Sequence, residues 1–174
     1  QATPFTFKLV ADPDGSPDMS VIQATNTQSG ETFTLGEKIQ NQLNPVLFSD
    51  TVGKYVGVIT GPAEERGQLT ARSAAVFTLE TREKVADSIC TTGGLPLFWN
   101  SFIIYDTCDS QANRPWKGNL APSIQASDLE TGANTFVVAS SPTEQYRSIR
   151  VDGDTLVFEK ILNSQEDWSE PESS

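Results

Sequence analysis

Short apolar stretches, each broken by Gly, Pro, Asn or Asp after about ten to fifteen residues, run along the whole chain. Such breakers cut a helical stripe before it spans enough turns to bury a face. A strand needs only about five or six residues, and β-branched and aromatic side chains crowd these windows, as a pleated, half-buried surface prefers. The spacing therefore predicts an antiparallel all-β domain. Phe5, Phe7 and Leu9 alternate with Thr6, Lys8 and Val10 in a first strand that ends at Asp12-Pro13. Further strands are expected over 19–25, 32–35, 46–48, 55–60, 68–80, 97–106, 135–139, 146–151 and 155–162.

About ten strands in 174 residues leave an antiparallel sandwich, a closed barrel or a β-trefoil. A trefoil would start its units near Phe5, Leu69 and Phe136, but little self-similarity exists at that period, so sandwich or barrel is preferred. One or two short helices at most are expected. Thr81 can cap a turn through 90, with Val85 and Ile89 four apart, and 36–43 has a similar pair in Ile39 and Leu43. The sharpest local expectation is a hairpin at Val151-Asp152-Gly153-Asp154, with Asp-Gly as a two-residue turn. That register sets Ile149 across from Leu156 and Arg147 across from Phe158, with Tyr146 facing Glu159 on the other side. Residues 1–162 read as one domain. Residues 163–174, with Glu166, Asp167, Glu170 and Glu172, read as an acidic solvated tail that only Trp168 could anchor.

Charge and missing residue types exclude several functions. The formal charge is −11, the opposite of the basic footprint that nucleic acid requires. Histidine is absent, which removes Ser-His-Asp triads, Cys-His dyads and His-ligated metals. No run of about 18 apolar residues is present to span a bilayer. G-x-S-x-G, S-x-x-K and phosphate-cradling glycine loops are missing; Gly93-Gly94 stands alone. Asp12, Asp14 and Asp18 crowd the first turn but miss the EF-hand spacing, and two prolines there describe a strand-linking turn. No cofactor and no metal are expected.

The start at Gln1 suits an exported chain whose signal peptide has been removed, with Gln1 cyclised to pyroglutamate. Cys90 and Cys108 would pair in an oxidising compartment and stabilise the fold by about 3 kcal/mol; two reduced, buried thiols are the competing reading. No N-glycosylation sequon occurs. With its Gln start, single cysteine pair and Thr/Ser-rich β body, the chain resembles the small secreted proteins of filamentous fungi in composition and layout. No motif carries that resemblance, and no site residue follows from it.

The most unusual segment is 97–119. Read as one strand, it puts Leu97, Trp99, Ile103 and Tyr105 on one face and Phe98, Phe102 and Ile104 on the other, as in a strand buried on both sides. Beyond it Asp106, Asp109, Asn113, Arg114 and Trp116 form a polar loop tethered by Cys108. Trp116 either covers a strand or offers its face to a sugar ring while amides and carboxylates bond the hydroxyls. The expectation is a secreted, extracellular or cell-wall-associated monomer that binds a carbohydrate or a cell-wall or host-surface component without transforming it. Its ligand residues would be Trp116, Asp106, Asp109, Asn113, Arg114, Tyr105 and Trp99. One alternative is a barrel whose internal apolar pocket, lined by Phe98, Phe102 and Tyr105, binds or transforms a small molecule. Another is a carboxylate-driven acid hydrolase using some of Glu80, Glu83, Asp106 and Glu144. Glu64-Glu65-Arg66-Gly67 reads as an exposed turn.

Overall fold

In the computed structural model the described residues are 4–61, 71–91, 95–107, 123–138 and 144–162. They form strands β1 (Phe5–Ala11), β2 (Met19–Asn26), β3 (Thr32–Gln40), β4 (Val46–Ser49), β5 (Tyr55–Thr60), β6 (Arg72–Thr78) and β7 (Lys84–Thr91). After these come β8 (Leu97–Trp99), β9 (Phe102–Thr107), β10 (Ser123–Asp128), β11 (Asn134–Val138), β12 (Glu144–Asp152) and β13 (Thr155–Leu162). The described part is all-β, and Asn41–Leu43 is a single 3-10 turn.

The main sheet is an antiparallel meander in the order β11-β10-β9-β7-β6-β5-β4, with β8 on the same edge of β9 as β7. β1-β2-β3 form a second sheet, and β12-β13 a hairpin. The meander curls until Phe98 of β8 stacks on Phe48 of β4 at 5.2 Å and on Tyr55 of β5 at 5.8 Å. Its inner face holds one core, made by Phe48, Tyr55, Ile59, Ala74, Val76, Ile89, Ile103 and Tyr105. The three-stranded sheet covers the outer face of β4–β6, where Val56, Val58 and Phe77 meet Ile22, Ala24, Leu35 and the alternating Phe5, Phe7 and Leu9. The β12-β13 hairpin covers the outer face of β8–β11, where Ile104, Ile124 and Ala126 meet Tyr146, Ile149, Leu156 and Phe158. Both faces of β5 and β9 are thus buried, and both strands are almost uniformly apolar rather than alternating.

The layered sheets agree with the sandwich expectation. Among the described residues no ladder closes β4 on β8 into a barrel, and consecutive strands pair as neighbours rather than as three trefoil units. Neither candidate helix segment is an α-helix. Residues 81–90 turn into β7, and Ile39 lies in β3, with Leu43 in the 3-10 turn. A spacing of four satisfies a strand face as well as a helix face, because four is a multiple of the strand period of two. β10 was not expected at all: SIQASD has too few large apolar residues to signal a strand, yet Ser123, Ile124, Ala126 and Ser127 are buried.

Two registers depart from expectation. The 97–106 strand is in fact a hairpin: Asn100, at φ 54°, turns the chain so that Trp99 pairs with Phe102 and Leu97 with Ile104. Leu97, Trp99, Phe102 and Ile104 therefore share the outer face, while Phe98, Ile103 and Tyr105 point inward. In the last hairpin the turn is Gly153-Asp154, with Asp152 paired to Thr155 and Val151 to Leu156. Farther along, Arg150 pairs with Val157 but Arg147 with Glu159, so two residues of β12 oppose one of β13. This bulge reverses the facing of what lies beyond it. Tyr146, expected on the outer side, joins Ile149 in the core and meets the Phe158 ring edge-on at 5.5 Å.

The first turn behaves as a turn. Asp12 Oδ1 accepts from the Asp14 amide, and Lys38 Nζ sits 2.8 Å from Asp12 and 3.0 Å from Asp14. The hydrogen bond from Lys38 holds the Asp12 carboxyl below its usual range. Cys108, Asp109, Asn113, Arg114 and Trp116 lie outside the described residues, as do Gln1, Glu64 to Gly67, Gly93-Gly94 and the tail over 163–174 with Trp168.

Candidate functional site

Several clefts border the curled sheet, among them one of about 400 Å³ beside Leu43, Gly61 and Arg72 and two that gather aromatic or polar side chains. The larger, about 670 Å³, opens where β4 approaches β8, between the 50–54 turn and the segment leading into the β8-β9 hairpin. Asp50 shapes one wall. Its carboxylate accepts from the amides of Gly53 (2.8 Å), Lys54 (2.9 Å) and Tyr55 (3.1 Å), which pins the turn and pushes Val52 outward, 75% exposed. The opposite wall is Leu95, Pro96, Leu97, Trp99 and Asn100, with Leu95 55% exposed and Val151 of β12 at the margin. Phe48 and Phe98 form the floor. Gly57 is required behind that floor, since a Cβ there would lie 2.1 Å from Phe48 Cζ. The cleft thus sets a half-buried indole and an apolar rim beside the oxygens and amide of Ser49, Asp50, Thr51 and Asn100.

The smaller of these two, about 280 Å³, is bordered by β7, β9 and β10. It is lined by Asp87, Ser88, Ile89, Cys90, Tyr105, Thr107, Gln125, Ser127 and Asn134. The Tyr105 hydroxyl is 3.1 Å from Ser127 Oγ, which in turn donates to Asn134 Oδ1. Burial pushes the Tyr105 phenol up, partly offset by the Ser127 hydrogen bond, so at neutral pH it is a neutral donor. The Lys84 ammonium, 2.5 Å from Asp87, holds that carboxyl down.

Of the expected ligand residues, Trp99, Tyr105 and Asp106 are described, and these three lie apart. Trp99 lines the larger cleft and Tyr105 the smaller one, while Asp106 lines neither; its side of β9 faces away from Tyr105, and its carbonyl accepts from Thr91 Oγ1 at 3.0 Å. Phe98, Phe102 and Tyr105 do not share a cavity, because Phe98 and Tyr105 pack in the inner core and Phe102 in the outer one. Glu80, Glu83, Asp106 and Glu144 line neither cleft, and each cleft has one carboxylate among its described lining residues. Sequence reading missed Val52, Leu95, Asn100 and Val151 in the first cleft and Asp87, Gln125, Ser127 and Asn134 in the second. The Asn100-Ser101 pair between aromatics was the one available signal, since Asn tolerates the positive φ of a tight hairpin.

Fold and clefts together define the class: a curled antiparallel meander, covered on its outer faces by two smaller sheets, with one aromatic and one polar recess. The chain matches no protein-family model, no curated protein and no solved structure. No helix among the described residues is long and apolar enough to cross a membrane.

Proposed function

We infer that the chain is a secreted binding protein that captures a carbohydrate, such as a cell-wall or host-surface glycan, as a monomer and without chemical turnover. The observation that carries this is the composition of the larger cleft: the Trp99 indole and an exposed apolar rim stand beside Asp50, Thr51 and Asn100. A sugar ring has an apolar face that stacks on an indole and an equatorial belt of hydroxyls that bond to such oxygens and amides. In that exported, oxidising setting the two cysteines of the chain, Cys90 and Cys108, would pair.

The test is a glycan array followed by calorimetric titration of the best-retained glycan with wild type and Trp99→Leu. Leucine keeps apolar volume on the hairpin side and removes the flat ring. The reading expects affinity to fall at least about tenfold with the melting transition kept. Undiminished binding by Trp99→Leu, or no glycan retained at all, would contradict it. The exposed Val52 and Leu95 favour a second reading, a small apolar ligand in the same cleft, which hydrophobic dyes would stabilise where glycans do not.

A further inference from the structure

Among the described residues β7 pairs with β9 at Thr91 and Thr107, and toward β6 it is bulged: Asp87 and Ser88 together stand opposite Ala75. Ser88 takes φ 55°, a left-handed conformation that costs a non-glycine residue and persists only where its surroundings hold it. Bulges re-aim side chains, and Asp87 and Ser88 of this one line the polar cleft beside the β9-β10 ladder.

The hydrogen bonds inside the cleft have a direction. Ser127 uses its proton on Asn134 Oδ1, so the Tyr105 hydroxyl donates to Ser127 Oγ. Tyr105 Oη is left with acceptor lone pairs, and the Asn134 amide nitrogen keeps two protons to donate. Gln125 adds an amide of both kinds, and Asp87 adds acceptor oxygens. Tyr105 and Ser127, 5% and 6% exposed, are fixed by packing rather than by solvent, so this pair is preformed. No side chain among the described lining residues is cationic, and Lys84 already neutralises Asp87. The arrangement suits a ligand that offers donors and acceptors without charge. Its volume lies just below the range of about 300–1,000 Å³ for drug-sized ligands, enough for one small ring.

We propose that the polar cleft bordered by β7, β9 and β10 is a second binding site, for a neutral, hydroxyl-rich small molecule of monosaccharide or polyol type. It shares no lining residue with the Trp99 cleft, so it stands or falls separately from the glycan reading. The test is a nitrogen-15 NMR titration of the full chain with neutral monosaccharides and, in a separate arm, with glycerol and inositols. One arm or both should move the amide signals of Ser88, Gln125, Ser127 and Asn134 in a saturable way. Exposed Asn134→Ala and half-buried Gln125→Ala should each weaken that binding at least about tenfold, whereas Trp99→Leu should leave it unchanged. If a variant loses its dispersed spectrum, Tyr105→Phe, which removes the hydroxyl with both its acceptor lone pairs and the proton given to Ser127, replaces it with the same expectation. No saturable shift in either arm overturns the proposal. So does binding that Asn134→Ala and Gln125→Ala leave intact, or that a charged sugar phosphate exceeds.

Discussion

Replacing Gly57 with alanine tests the packing that shapes the larger cleft. On β propensity alone alanine should be neutral or gain about 0.5–1 kcal/mol by restricting the unfolded chain. The structure demands the opposite sign. The new Cβ would sit 2.1, 2.5 and 2.6 Å from three atoms of the Phe48 ring, inside any tolerable contact. The ring cannot simply retreat, because Phe98 is stacked on it at 5.2 Å and Tyr55 on Phe98 at 5.8 Å. Overpacking costs about 1–3 kcal/mol and loss of a stacked aromatic pair about 0.5–1.5, so Gly57→Ala should destabilise by about 2–4 kcal/mol. At about 2–4 °C per kcal/mol for a chain of this size, the melting temperature should fall by about 4–16 °C. Urea unfolding of Gly57→Ala, Phe48→Leu and the double variant completes the test. With the ring removed, the alanine methyl has room, and the two substitutions should couple by about 2 kcal/mol. A Gly57→Ala protein as stable as wild type, or an equal cost in both backgrounds, would refute the packing reasoning.

Three further outcomes are expected. Asp50→Ala removes the acceptor of three backbone amides in a turn where Asp50 is 8% exposed, and should cost about 1–3 kcal/mol while speeding hydrogen exchange at Gly53, Lys54 and Tyr55. The pH profile of stability should be flat through neutrality and fall at both ends. The hydrogen bonds from Lys38 to Asp12 and from Lys84 to Asp87 lower both carboxyls from 3.8, so their contribution is complete above that value and lost as acid protonates them. The same contacts raise Lys38 and Lys84 from 10.5, so the alkaline loss begins above that value; Asp12→Asn should flatten the acid slope in pH-dependent unfolding. The unreduced, denatured chain should be lighter than the reduced one by a single hydrogen pair, and dithiothreitol should lower stability by about 3 kcal/mol.

What the sequence disclosed and what it hid have separate physical causes. Strands whose windows are apolar on one or both faces were legible: 55–60 and 155–162 are found with those limits, and the Phe5, Phe7, Leu9 alternation faces the core as expected. β7 and β10 were not, because their buried positions are filled by Ala, Ser and Thr as much as by large apolar residues. Facing went wrong where an extra residue or a tight turn resets the period of two. The β12 bulge carried Tyr146 inward, and the Asn100 turn exchanged the partners of Trp99. The candidate site was half legible for the same reason. Trp99 and Tyr105 could be singled out by type, but placing them in separate recesses required knowing that the chain doubles back between them.

Recognition without turnover is tested most directly by holding a retained glycan with the protein for days at mildly acidic and neutral pH while recording both sets of NMR signals. The account predicts saturable shifts at Val52, Leu95, Trp99 and Asn100, absent in Trp99→Leu, with the glycan recovered at its original length. Shortened glycan, or shifts that avoid those four residues, would contradict it.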